Sequence, residues 1–150
     1  MKLQVNTMLA LYSVIEFAAD PNRHIPASEI ADKYGISSHH LAKVLAELVR
    51  ADIVESVRGV GGGYRFAANA RRLTLMDVIQ LFEDLATPAS VRSESHAPTA
   101  VDRALDVVLG EIDQIAKATF SSITLATMLQ LVARREQQRE DHETLEHGVC

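Results

Sequence analysis

The stretch Arg58-Gly59-Val60-Gly61-Gly62-Gly63-Tyr64-Arg65 constrains this chain most: it holds four of the chain's seven glycines. Glycine is cheap where a backbone must turn through positive φ or pass close to another surface. The runs on either side, Ile53 to Val57 and Tyr64 to Phe66, have strand character. Two such runs joined by a glycine-containing loop predict a β-hairpin. From Ser56 to Arg72 there is no Asp or Glu, but there are four arginines, Arg58, Arg65, Arg71 and Arg72. A glycine-rich hairpin flanked by arginines suits a phosphate backbone or a minor groove. Two other readings compete. One is a plain turn with solvated arginines. The other is a nucleotide-binding loop, which is disfavoured because no Lys-Ser/Thr pair and no helix follows the glycines.

The chain ahead of the hairpin reads as helices. A broad apolar face runs from Leu3 to Ala19 and stops at Asp20-Pro21-Asn22. A short helix is expected over residues 27–34, with Gly35 as its terminal glycine. Ser37 is expected to cap a longer helix from His39 to about Ala51, with Leu41, Val44, Leu45, Leu48 and Val49 inward. Short helix, turn and longer helix is helix-turn-helix spacing. In that motif the start of the second helix enters the major groove. Its outward residues include Ser38, His39, His40, Lys43 and Glu47. Helix-turn-helix followed at once by a hairpin is a winged-helix layout, and the pair of signals outweighs the plain αα-hairpin that either could be alone.

Charge agrees with this division. The chain is 150 residues long with a formal net charge of −5. Residues 1–72 hold nine Lys/Arg against seven Asp/Glu, a net of +2, whereas residues 73–150 hold six against thirteen, a net of −7. An anionic partner therefore belongs to the first half. No apolar run is long enough for a membrane span, and no signal peptide is seen. The lone cysteine, Cys150, excludes an internal disulfide framework. A cytoplasmic protein is expected.

Beyond the hairpin, Thr74 is expected to cap a helix with Leu75, Val78, Ile79 and Phe82 on its apolar face. Residues 86–99 are rich in Pro, Ser and Thr and read as a loop. Val101, Leu105, Val108, Ile112 and Ile115 then recur at coiled-coil-like spacing. The natural partner for such a seam is a second copy of the chain, and Gly110 is expected to admit it closely. Ser122 or Thr124 is expected to cap a last helix carrying Leu125, Met128, Leu129 and Val132. The polar residues 133–150 read as a helical extension or frayed tail.

The turn Gly35-Ile36-Ser37, the segment Ser56-Val57-Arg58-Gly59-Val60-Gly61-Gly62-Gly63-Tyr64 and the segment Leu73 to Ile79 together resemble the IscR/NsrR family of bacterial winged helix-turn-helix regulators. The resemblance covers about residues 1–132. His40, Leu41 and Lys43 look closer to its nitric-oxide-responsive branch than to its cluster-assembly branch. It implies a mainly α fold with a small β-hairpin wing, and a homodimer on double-stranded DNA at a pseudo-palindromic operator. It implies a DNA-binding domain over 1–85, a sensory loop over 86–99, and a dimerisation helix and following helix over 100–132. The recognition helix would contact DNA through Ser38, His39, His40 and Lys43. The wing would do so through Arg58, Gly59, Gly61, Gly62, Gly63, Tyr64 and Arg65. Sensing members ligate an iron–sulfur cluster with three loop cysteines. Residues 90–100 here contain none, and Met8 and Tyr12 stand where some members place a further ligand. Clusters are held mainly by thiolates, so a member without the cluster is expected, and no other cofactor. One His and one carboxylate, His96 and Glu94, make a poor metal site. His142, His147 and Cys150 read as inert, and no catalytic constellation stands out. The expected function is transcriptional regulation, as a repressor and not an enzyme. Two alternatives remain: a small-molecule or redox effector bound between the dimer helix and the 86–99 loop, and a protein-interaction module on a degenerate winged helix.

Overall fold

The computed structural model describes residues 2–83 and 96–148. Residues 86–95 of the expected loop, with Glu94, and Cys150 in the tail lie outside the described residues. Six helices and one hairpin follow in order among them: α1 Val5–Ala19, α2 Ala27–Tyr34, α3 Ser38–Arg50, β1 Val54–Val57, β2 Gly63–Phe66, α4 Leu75–Ile79, α5 Ala100–Ser122 and α6 Leu125–His147. The mainly helical fold with one small antiparallel sheet is the one expected.

The core gathers around α1. Leu9, Ala10, Val14, Phe17 and Ala18 of α1 are buried with Leu41, Val44, Leu45 and Leu48 of α3. The α3 set recurs at three and four residues, so one face of the helix meets α1. Ile25 from the loop before α2, Ile30 and Ala31 of α2, Ile53, Val54, Phe66, Val78 and Leu125 complete the cluster. Gly35 ends α2 at φ 62°, ψ 42°, and its N–H donates to the Ala31 carbonyl. A glycine takes this left-handed conformation without steric cost.

β1 and β2 pair antiparallel in the register Val54↔Phe66, Glu55↔Arg65, Ser56↔Tyr64 and Val57↔Gly63. A third backbone segment joins them. Ile25 and Tyr64 form a bridge, N–H to carbonyl in both directions, at 2.8 and 2.9 Å. This pins β2 to the loop before α2.

Two local expectations need correction. Ser37 holds the N-cap position of α3 with extended backbone, but its hydroxyl makes no cap hydrogen bond. α4 has a capping box, Thr74 accepting from the Asp77 N–H and Asp77 from the Thr74 N–H, but ends at Ile79 after five residues. Phe82 still reaches the core, from the turn that follows. Gly110 lies about 200° round α5 from both Val108 and Ile112, on the face opposite the apolar stripe. A Cβ there would meet nothing within 4 Å in the single chain.

The end of α5 is strapped to the strand–helix connection. Thr74 and Thr124 form an antiparallel bridge. Leu75 N–H donates to Ile123, Leu125 N–H to Leu73, and Ala126 N–H to Ala70. Thr124 caps α6 by accepting from the Thr127 N–H. Among the described residues, no helix is long and apolar enough to cross a membrane.

Candidate nucleic-acid interface

α3 presents two opposite faces. Leu41, Val44, Leu45 and Leu48 are at most 1% exposed. Ser38, His39, His40, Ala42, Lys43 and Ala46 are exposed. His39 and Lys43 are one turn apart and His40 and Lys43 three residues apart, so the three share a surface. Glu47 is half-buried and pairs with Arg50 at 3.0 Å, which occupies the one carboxylate of this helix. Leu41, one of the residues compared with the nitric-oxide-responsive branch, is core and touches no outside partner.

The start of α3 is open. There is no side-chain cap and no acidic residue in its first turn. The first backbone N–H groups of a helix have no internal partner and carry the positive end of its dipole. Such an end accepts a phosphate readily.

The wing glycines divide into two pairs. Gly59 and Gly61 have φ of 105° and 74°, and a Cβ on either would meet nothing within 4 Å. They turn the chain at the tip. Gly62 and Gly63 are needed for packing. A Cβ on Gly62 would sit 2.3 Å from the Val57 carbonyl oxygen, and one on Gly63 would sit 2.6 Å from the Ile25 carbonyl. Gly63 is what allows β2 to lie against the Ile25 segment.

Other wing residues also have structural partners. The Tyr64 ring lies 6.1 Å from that of Phe17, and the residue is half-buried. Arg65 pairs with Glu55 across the hairpin. Arg58 is exposed and makes no ion pair among the described residues. The tip therefore keeps one unpaired cation. Val60, between the two turning glycines, is fully exposed at 111%. One apolar residue in a glycine loop has no periodicity, so no hydrophobic pattern in the sequence singles out Val60.

A second cluster lies on α1 and α2. Tyr12 and Tyr34 stack with ring centroids 4.8 Å apart. Glu16 accepts from Lys33 Nζ at 2.6 Å and from the Tyr34 hydroxyl. Burial works to raise the Glu16 carboxyl, but the bonds from Lys33 and Tyr34 outweigh it and hold it below the usual range. Burial first, and the Glu16 carboxylate next, push the Tyr34 phenol up.

The expected dimer residues lie on α5, which has no buried residue. Val101 is 66% exposed, Leu105 55%, Val108 54%, Ile112 53% and Ile115 67%. They form one stripe along the helix.

The donor set does not fit an iron–sulfur cluster. The chain has a single cysteine, Cys150, and among the described residues no three His, Cys, Asp or Glu side chains converge as a metal site.

Comparison with known proteins places this arrangement. The family model for Rrf2, described as an iron-dependent transcriptional regulator, matches residues 3–131. BadM of Rhodopseudomonas palustris, named as an HTH-type transcriptional regulator, is 48% identical over 141 residues, 93% of this chain and 88% of that protein. The structure of CymR, the global cysteine regulator of B. subtilis, matches with a TM-score of 0.71 at 25% identity, covering 87% of this chain and 98% of that one. IscR of T. potens matches in fold with a TM-score of 0.69 at 23% identity over 88% of each chain. With a winged-helix fold, a family model spanning most of its length and a full-length relative at nearly half identity, the chain belongs to the Rrf2 family of transcriptional regulators.

Proposed function

We propose that this regulator binds double-stranded DNA as a homodimer on a pseudo-palindromic operator, represses from the cytoplasm, and does so without an iron–sulfur cluster. The observation that carries the DNA reading is the start of α3. It is uncapped, free of acidic residues, and bordered by the exposed Ser38, His39, His40 and Lys43. Arg58 at the wing tip supports it with a cation that no described carboxylate neutralises. Gly59 and Gly61 let that tip approach a groove, while Gly62, Gly63, Tyr64 and Arg65 hold the wing in shape. A homodimer is supported by the exposed stripe on α5, because a soluble monomer rarely leaves such a continuous apolar face uncovered. The absence of loop cysteines from the sequence supports function without the cluster.

Binding to DNA selected by the protein from a random pool, followed by fluorescence anisotropy over a range of salt, tests this reading. Each phosphate contact contributes about one unit to the salt slope, so Arg58→Ala is expected to weaken binding on all sequences and flatten the slope by ~1. His40→Ala is expected to cost about 1–3 kcal/mol on selected DNA and little on random DNA. An unchanged slope in the first variant would remove the wing from the interface. Equal losses on both DNAs in the second would make His40 an anchor only.

A further inference from the structure

The end of the wing is built around a single side chain. Between Arg58 and Tyr64 every residue but Val60 is glycine. The Gly62 N–H donates to the Gly59 carbonyl at 3.0 Å, so residues 59–62 close a tight turn. Gly61 has φ 74°, whereas Val60 keeps an ordinary negative φ. A positive φ at the third position of such a turn is that of type II, with Val60 in the second position. There its side chain is fully exposed.

The turn stands on a fixed base. Tyr64 exchanges backbone hydrogen bonds with Ile25 at 2.8 and 2.9 Å, and its ring lies 6.1 Å from that of Phe17 in the core. Gly62 and Gly63 leave no room for a side chain against the Val57 and Ile25 backbone. Val60 is also β-branched, which stiffens its own side chain. A single exposed apolar residue on an ordinary surface needs no explanation. This one is held out at the end of a braced loop. Beside it is Arg58, exposed and without an ion pair among the described residues. No carboxylate occurs from Ser56 to Arg72. These surroundings suit a narrow anionic groove that an apolar group can enter.

We propose that Val60 is a specificity-determining residue: it seats on the floor of the minor groove at an A·T pair and excludes G·C there. This rests on the DNA-binding reading above. Both kinds of pair present acceptors in that groove, and G·C adds the guanine N2 amino group, a donor that stands up from the floor. An isopropyl group offers it no acceptor. Seated over G·C, Val60 would leave the amino group desolvated and unpaired, which is costly, and the amino group would hold the tip away from the floor. Over A·T the methyl groups meet a floor without that projection, and apolar side chains are a recurrent device of minor-groove contact. Arg58 supplies attraction on every sequence; Val60 supplies the choice between pairs.

The test uses the full-length protein and DNA that it selects from a random pool. Each adenine of the selected site is replaced in turn by diaminopurine, which still pairs with thymine and adds an amino group in the minor groove alone. Binding is read by anisotropy for the unaltered protein, Val60→Gly, Val60→Ser and Arg58→Ala, with folding checked by circular dichroism. In each half-site at least one replacement is expected to weaken the unaltered protein about tenfold, the size of a single mismatched pair. The same replacement is expected to cost Arg58→Ala as much, but Val60→Gly and Val60→Ser only about twofold or less. Val60→Ser keeps a β-carbon on the turn, so its result stands even where glycine loosens the tip. Undiminished sensitivity in both Val60 variants would overturn the proposal, as would a loss that disappears only in Arg58→Ala. If the unaltered protein selects no DNA, the DNA-binding reading falls and this one falls with it; a selected site with no sensitive adenine removes the role of Val60 alone.

Discussion

Gly63 and Gly110 are the same residue type in opposite settings. Gly63 has φ 154° and would place a Cβ 2.6 Å from the Ile25 backbone. Gly63→Ala should therefore cost more than about 1 kcal/mol, through both backbone conformation and contact with main chain. Gly110 sits inside a helix with nothing within 4 Å of a Cβ, so Gly110→Ala should stabilise by about 0.5–1 kcal/mol. Thermal unfolding of the two variants checks both signs. Glu16 gives a pH signature. Its folded value is held down, so its contribution is present above the unfolded carboxylate range and is lost as pH falls through the folded value. Tyr34 is shifted up, so its share is fully present below the normal phenol value and is lost as pH rises beyond it through the raised folded value. Glu16→Gln should reduce the pH dependence of stability on the acid side, as read by urea unfolding at several pH values. Residue roles were only partly legible in the sequence. The glycine cluster announced a hairpin, but which glycines turn the chain and which make room depends on Ile25, a segment about 40 residues away. The pairing of Arg65 with Glu55 follows from register, which composition does not reveal.

At the scale of elements, periodicity carried furthest. The stripes on α1, α3 and α5 were visible because apolar residues recur every three or four positions, and Gly35 marked the end of α2. The short α4 was harder to read: its capping box fixes the start, but no Gly or Pro directly follows Ile79 to mark its end. α6 continues to His147 through a polar stretch that reads equally as tail. Local pairs support it there, Arg139 with Glu143 at 3.8 Å, His142 with Glu146 at 3.4 Å and Gln137 with Asp141 at 3.2 Å. Each such pair contributes only a few tenths of a kcal/mol. α5 supports a sharper prediction. Ile112 is half-exposed in the single chain, so Ile112→Asp should leave its folding nearly unchanged. In the proposed dimer it would bury an unpaired charge, a cost on the order of 3 kcal/mol, or about a hundredfold in dimer affinity. Sedimentation velocity with circular dichroism checks this, with folded monomer as the expected result. A variant that stays dimeric would move the interface elsewhere.

Across the whole molecule, the distribution of charge matters more than its total. A net charge of −5 would discourage DNA binding if spread evenly, but the excess acid lies after residue 72. The bridge between Thr74 and Thr124 ties the two regions together, so the direction of α5 is set relative to the base of the wing. In the proposed dimer this bridge would hold two recognition helices at a fixed spacing, the geometry a two-fold operator requires. Family membership follows from the comparisons; the proposal that this member reads DNA with no cluster follows from the residues. Its most direct test is purification of the full-length protein without oxygen, followed by an absorbance spectrum, iron analysis and DNA selection on the same sample. The account predicts a colourless, iron-free protein that selects and binds a palindromic DNA site. A coloured, iron-bearing protein that binds DNA only while it holds the metal would contradict it.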